Sequence, residues 1–162
     1  LEKAQYLLEQ TSTEMRRVIY DLRPPLLDDI GFLPALEHYI NDYMQRTRIT
    51  VSLNITGPVV RLDPNEELAL YRISQEALHN IHRHARTTSA EILVDFQNSR
   101  IHLTIRDHGV GFDYKDLEAD RFEKMGLPGM QERAESIGAV LSIHSTPGHG
   151  TTVELSMHIE NE

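Results

Sequence analysis

Residues 76 to 85, EALHNIHRHA, place one glutamate, one asparagine, one arginine and three histidines within a single short segment. These residue types offer two different chemistries. Histidines that share a helix face bind a transition metal, commonly as an i, i+4 pair with a third ligand. A carboxylate, a carboxamide and a guanidinium on one face offer a proton acceptor, a neutral oxygen for a hard cation such as Mg²⁺, and a partner for phosphate. Helical projection separates the two. At about 100° per residue, Glu76, Asn80 and Arg83 share an arc of roughly 60° on the shoulder of a broad apolar face. His79, His82 and His84 diverge. At most His79 and His82 could share a surface ion, and His84 falls at the apolar margin as a partly buried structural histidine. Taken alone, the Glu76, Asn80 and Arg83 trio also describes a plain polar surface.

Three further segments carry glycines at positions where chemistry is possible. RDHGVGFD closes a strand with Asp107 and then supplies Gly109 and Gly111. GLPGM places Gly126 and Gly129 immediately before an expected helix, where free backbone N–H groups and the helix dipole favour phosphate. GHGTTVEL puts Gly150 and Thr151 at the start of the last expected strand. Each has an ordinary alternative: a strand-to-loop turn, a helix entry and a hairpin.

The surrounding pattern indicates what positions these residues. Leu1, Ala4, Leu8, Thr11, Met15, Val18 and Leu22 alternate in steps of three and four, the seam of a helix that needs a partner. That partner is either the core of its own domain or a helical bundle between chains. Pro24 and Pro25 break the seam, and a second helix is expected from Leu33 or Pro34 to about Arg46. ITVSLNI, 49 to 55, alternates as a strand. Asp63 before Pro64, with Glu66 and Glu67 in the first turn, is a helix start, and that helix is expected to run to about Arg86. SAEILVDFQ and RIHLTIRD form a hairpin about Asn98 and Ser99. LPGMQERAESIG reads as a helix closing at Gly138, and AVLSIHS and TTVELSMHI as strands flanking a TPGHG turn. The sum is a helical arm followed by an α+β domain, with helices on one face of a largely antiparallel sheet.

Bulk properties narrow the function. The 162 residues carry 16 basic and 25 acidic side chains, a formal net charge of -9. That balance argues against a general nucleic-acid binder, which must neutralise phosphates over an extended surface. With no cysteine, disulfides and thiolate metal ligands are excluded, in keeping with a cytoplasmic location. No apolar run approaches the roughly 20 residues that span a bilayer. The chain opens on Leu1 without a signal-like leader, and is expected to be part of a longer protein.

In combination and in this order, the four segments resemble the GHKL superfamily of ATP-binding domains over residues 48 to 158. Glu76, Asn80, Arg83, His84 and Ala85 match its N-box. Asp107, Gly109 and Gly111 match the first glycine box, Gly126, Leu127, Gly129 and Met130 the second, and Gly150 and Thr151 the last. VIYDLRPPLLDDIGFLPAL is similar to the dimerisation helix and linker of sensor histidine kinases of the nitrate-sensor and desaturase-sensor subgroup.

The resemblance implies a Bergerat-type two-layer sandwich on a mixed, largely antiparallel sheet at 47–162, preceded at 1–46 by a second dimerisation helix, linker and following helix. It implies ATP and Mg²⁺ as ligands, with Mg²⁺ on Asn80, Glu76 assisting proton removal or orienting the acceptor, and Arg83 meeting phosphate. The adenine amino group would fall to Asp107, with Thr151 beside it. Gly109 and Gly111 would let the loop approach the base, 112 to 125 would form a mobile lid, and Gly126 to Met130 would cradle phosphates. It also implies homodimerisation through the N-terminal helix, a response regulator with a helix-turn-helix output as partner, and a parent protein with room for a membrane anchor.

Two departures stand out. Lys124 occupies a position where the subgroup often has glycine, which bears on lid flexibility and offers a further cation for phosphate. No histidine precedes His38, and His38 follows the proline break, so the acceptor histidine is expected outside this sequence. Two alternatives share the nucleotide fold: an anti-sigma-type serine kinase, which would not carry the heptad arm, and a nucleotide-gated interaction module without phosphotransfer.

Overall fold

The computed structural model describes residues 24–113, 115, 117 and 125–159. The heptad segment and Lys124 lie outside the described residues. The first element, α1 (Pro25–Ile30), is a short helix within the stretch expected only to break the chain. Pro25 is compatible with helix at its first position, where a missing N–H costs nothing. Gly31, at φ 85°, then redirects the chain into α2 (Phe32–Thr47), with Pro34 inside its first turn.

β1 (Thr50–Thr56) leads to α3 (Pro64–Asn80), whose start is the expected one. The Asp63 carboxylate accepts from the Asn65 N–H at 2.8 Å, and the Asp63 N–H donates to Glu66 Oε2 at 2.9 Å. This reciprocal capping box satisfies donors that a helix N-terminus otherwise leaves open. The far end differs from expectation. At Ile81 the α-helix gives way to a π segment (Ile81–Ala85), closed by Arg86 in the left-handed region at φ 53°. The wider turn shifts every side chain after Asn80 off the 100° raster used in the projection.

β2 (Ser89–Gln97) and β3 (Arg100–Asp107) pair through a two-residue turn, with Asn98 and Ser99 at φ 53° and 55°. Positive φ at both positions matches the right-handed twist of a hairpin. α4 (Leu127–Ser136), β4 (Val140–Ser145) and β5 (Thr151–His158) complete the chain. The sheet order is β1-β2-β3-β5-β4, with β1 and β2 parallel and the other pairs antiparallel. The parallel pair requires a crossover, which α3 and the π segment supply.

One face of the sheet is apolar and covered by helices. Ala90, Ile92, Val94 and Phe96 of β2, Ile101, Leu103 and Ile105 of β3, and Val153, Leu155 and Met157 of β5 all point inward. They meet Leu70, Ile73 and Leu78 of α3 and Met130 of α4 in one core. The period-2 alternation of β3 continues to Asp107, which therefore ends on the buried face, 3% exposed, in register with Ala90.

Beside the core, the α1–α2 corner is tied to α3 through Arg61. Its Nε lies 2.9 Å from Glu67 Oε1, and its guanidinium reaches the carbonyls of Leu27 and Asp28 at 3.5 and 3.4 Å. Glu67 is 3% exposed at its side chain and Arg61 56%. Removing the cation takes an ion-pair partner from a buried carboxylate. Arg61→Met is therefore expected to lower stability by roughly 2–3 kcal/mol in urea denaturation, less than a fully buried pair because Arg61 keeps much of its surface in water.

Candidate nucleotide site

Where α3 turns into the π segment, its inner edge faces α4 across a cleft. Ile105, Val153 and Met130 form an apolar part of the lining, and Asn80, His84, Asp107 and Thr151 contribute polar groups. A concave, mostly apolar site with a few convergent polar groups is the usual form of a small-molecule pocket.

Asn80 stands at the last position of α3. Its Nδ2 donates to the Met125 carbonyl at 2.6 Å, while Oδ1 is buried with no hydrogen-bond partner. A buried carboxamide oxygen without a donor is unfavourable by itself. It suits a hard cation such as Mg²⁺, which takes neutral oxygen ligands and brings further waters or phosphates with it.

Glu76, one turn earlier, lies against the entry to α4: a Cβ built on Gly126 would fall 2.1 Å from Glu76 Oε1. Gly126, the N-cap of α4, lies in the left-handed region at φ 64° and has no side chain of its own to cap that helix. Gly129, expected just before the helix, lies within its first turn. The first-turn donors at this end are the N–H groups of Leu127 and Gly129. Pro128 has no N–H, and the Met130 N–H is used on Gly126 O at 3.0 Å. Met130 thus contributes a fully buried side chain to the cleft rather than a phosphate donor.

The structure separates the remaining N-box positions. His84, placed by the projection at the apolar margin, lines the cleft. Arg83 is exposed and does not line it, because the π segment rotates it away from the arc of Glu76 and Asn80. His82 is exposed but sets its ring edge-on to Tyr43, with centroids 6.5 Å apart.

The glycines of the first and last boxes act through backbone contact. A Cβ on Gly109 would lie 2.0 Å from Ala85 O, one on Gly111 2.1 Å from Thr146 O, and one on Gly150 2.1 Å from Asp107 O. Two backbone hydrogen bonds hold the same junction, Val110 N–H to Ala85 O at 2.8 Å and Gly148 N–H to Val110 O at 2.7 Å. The loop after β3 is thereby pressed between the π segment and the β4–β5 turn.

Asp107 lies in the wall so formed. Its Oδ1 accepts the Gly109 N–H at 2.7 Å. Burial raises its carboxyl above the ordinary value, opposed by the backbone N–H groups of Gly109 and Thr151 and by the nearby His108. Thr151 Oγ1 shares a 2.9 Å hydrogen bond with Ser145 Oγ, which also donates to Gly150 O at 3.0 Å and accepts the Phe112 N–H at 2.9 Å. Ser145 is a member of the site that the motifs did not mark. Its only sequence signal is a hydroxyl at a strand end beside a glycine turn.

Helices on one face of a mixed sheet, with a glycine-packed wall and a glycine-capped helix start around one cleft, define the GHKL class of ATP-binding domains. Residues 65–161 match the family described as histidine kinase-, DNA gyrase B- and HSP90-like ATPase, and the chain belongs to that family. Among curated relatives, it is 35% identical over 156 residues to the signal transduction histidine-protein kinase/phosphatase DegS of Brevibacillus brevis, covering 96% of this chain and 40% of that protein. It is 37% identical over 145 residues to the sensor histidine kinase MctS of Rhizobium johnstonii, covering 89% and 31%. The oxygen sensor histidine kinase NreB of Staphylococcus carnosus is 30% identical over 153 residues, covering 94% and 44%. The chain thus spans less than half the length of these relatives. Among solved structures, the Acinetobacter baumannii histidine kinase AdeS superposes with a TM-score of 0.66 at 15% identity, covering 97% of this chain and 84% of that one. The histidine kinase domain of the Erythrobacter litoralis blue-light activated kinase does so at 0.58 and 17%, covering 76% and 59%. Both likenesses concern the fold.

Two outcomes check the wall. Gly109→Ala, which drives a methyl into Ala85 O without any positive φ, is expected to destabilise by about 2 kcal/mol or more. Gly138→Ala, at φ 66° in open space, should lose only about 1 kcal/mol; equal effects in chemical denaturation would show that the close approach does not matter. For Asp107, a folded-state value raised above the unfolded one gives stability that is full at low pH and lost as pH rises through the raised value. The stability of Asp107→Asn relative to the parent should therefore improve from pH 3 to pH 7 in thermal melts.

Proposed function

We propose that this chain is the catalytic ATP-binding region of a two-component sensor histidine kinase, in which 47–162 binds Mg-ATP and 1–46 supplies a dimerisation helix and linker. The observation that carries the proposal is the buried, unpartnered Oδ1 of Asn80 in the lining of a cleft that also holds the buried Asp107. A cation-seeking oxygen and a base-seeking carboxylate line one largely apolar cleft, the two kinds of group that an adenine nucleotide with its metal requires.

In this reading Asp107 accepts a hydrogen bond from the adenine amino group, with Thr151 beside it, and the apolar lining takes the face of the base. The Leu127 and Gly129 N–H groups receive phosphate oxygens at the positive end of α4. Arg83 reaches phosphate from the exposed side of the π segment, and Lys124 offers a further cation. Asn80 Oδ1 would hold Mg²⁺, which would supply charge neutralisation on the phosphates. Glu76, packed at the α4 entry, orients the acceptor or takes its proton. The γ-phosphoryl passes to an imidazole nitrogen of a histidine outside this sequence. The P–O bond to ADP breaks as the N–P bond forms, and catalysis rests on positioning and charge rather than on a covalent enzyme intermediate.

The relatives' names support a response regulator as the onward partner, and the subgroup resemblance supports one with a helix-turn-helix output. The heptad of residues 1 to 22 supports a homodimer of the full protein. Among the described residues no helix is long and apolar enough to cross a membrane, and a cytoplasmic position for this region fits its ligands.

Asn80→Ala is expected to weaken Mg-ATP binding by about tenfold or more in calorimetry, the scale of one lost interaction of roughly 1.4 kcal/mol, with its melting temperature little changed. Unchanged affinity would contradict the assignment. Incubated with labelled ATP and a separate polypeptide bearing a dimerisation helix and its histidine, the chain should label that histidine; binding without transfer would favour the interaction module.

A further inference from the structure

The ATP-binding wall begins at the π segment, yet the group that secures the start of that segment comes from α2, upstream of the family-matched residues 65–161. Tyr43 is 3% exposed, and its hydroxyl donates to the carbonyl of Leu78 at 3.0 Å. Leu78 sits in the last turn of α3, just before pairing changes from i→i+4 to i→i+5. Where pairing lengthens from i→i+4 to i→i+5, two successive N–H groups turn to the same carbonyl, so hydrogen bonds at the junction are shared rather than one-to-one. The Ile81 N–H is already divided between the carbonyls of Ala77 and Leu78. The Tyr43 hydroxyl brings a whole donor from a different helix.

We infer that Tyr43 is a positioning residue for the nucleotide site, holding the α-to-π junction through Leu78 O so that Asn80 and His84 face the cleft and Ala85 O meets the glycine loop. Three geometric facts converge on it. The Tyr43 ring packs edge-on against His82 inside the π segment. Asn80 and His84, on either side of His82, both line the cleft. Ala85, closing the segment, accepts the Val110 N–H at 2.8 Å and sits where a Cβ on Gly109 would collide. Burial and the neighbouring Tyr39 push the Tyr43 phenol up to about 12, so the hydroxyl keeps its proton throughout the working range. A consequence is that displacement of α2, which follows the linker directly, would be felt at the nucleotide.

The inference rests on the nucleotide reading of the cleft, and the test keeps the two apart. Tyr43→Phe retains the ring and removes only the donor. Ser74→Ala serves as the control, because it removes another buried hydroxyl-to-carbonyl bond, Ser74 Oγ to Leu70 O at 2.8 Å, from the same helix. The full chain and both variants are compared by Mg-ATP calorimetry well below their melting temperatures, with amide hydrogen exchange read at Val110. Tyr43→Phe is expected to bind Mg-ATP about fivefold more weakly and to lose Val110 protection, while Ser74→Ala stays within about twofold of the parent. Tyr43→Phe with parental affinity and parental Val110 exchange, whatever its melting temperature, would overturn the inference. Parent protein that binds no Mg-ATP would overturn the nucleotide reading instead, with Val110 exchange still deciding the role of Tyr43.

Discussion

Three lengths of backbone in this protein lie closer together than any Cβ allows. Gly109 against Ala85 O, Gly111 against Thr146 O and Gly150 against Asp107 O join the π segment, the loop after β3 and the β4–β5 turn into one wall. Everything that gives the cleft its chemistry depends on that contact. It sets the end of β3 beside Thr151, so that Asp107 is buried yet keeps N–H partners. It also fixes the height of the π segment, and with it the positions from which Asn80 and His84 enter the cleft.

The polar groups around the cleft suit a ligand with two different ends. A buried carboxylate raised above its ordinary value lines the largely apolar cleft. Also in the lining, a carboxamide gives its N–H to Met125 O and leaves its oxygen unmatched. A net charge of -9 makes such local donors necessary for any anionic ligand, because the field of the whole chain repels one. On the proposed function, nucleotide binding therefore rests on a few backbone N–H groups and the Asn80 oxygen rather than on a basic surface.

Much of this was legible in the sequence because the determining signals are local. Asp63-Pro64 with Glu66 encodes a capping box, and the alternation Ile101, Leu103, Ile105 carries Asp107 to the buried face by simple continuation. Asn98-Ser99 tolerates the positive φ that its hairpin requires. What escaped is non-local. No residue in IHRHA announces a π turn, since its pairing is sustained from outside by Tyr43, thirty-five positions from its partner Leu78. That turn is why Arg83 leaves the arc of Glu76 and Asn80, and why His84 lines the cleft. The α1 turn is hidden because Pro24-Pro25 reads equally as a stop and as a helix start.

The central claim is that the cleft is built for adenine, read by the Asp107 carboxylate. The most direct measurement is competition calorimetry of ATP against GTP and against a purine nucleotide lacking the 6-amino group, each with Mg²⁺. The account predicts that ATP binds at least about tenfold more tightly than either, since a buried carboxylate left facing a carbonyl or a bare C–H loses its hydrogen bond. Equal affinities for all three would contradict it.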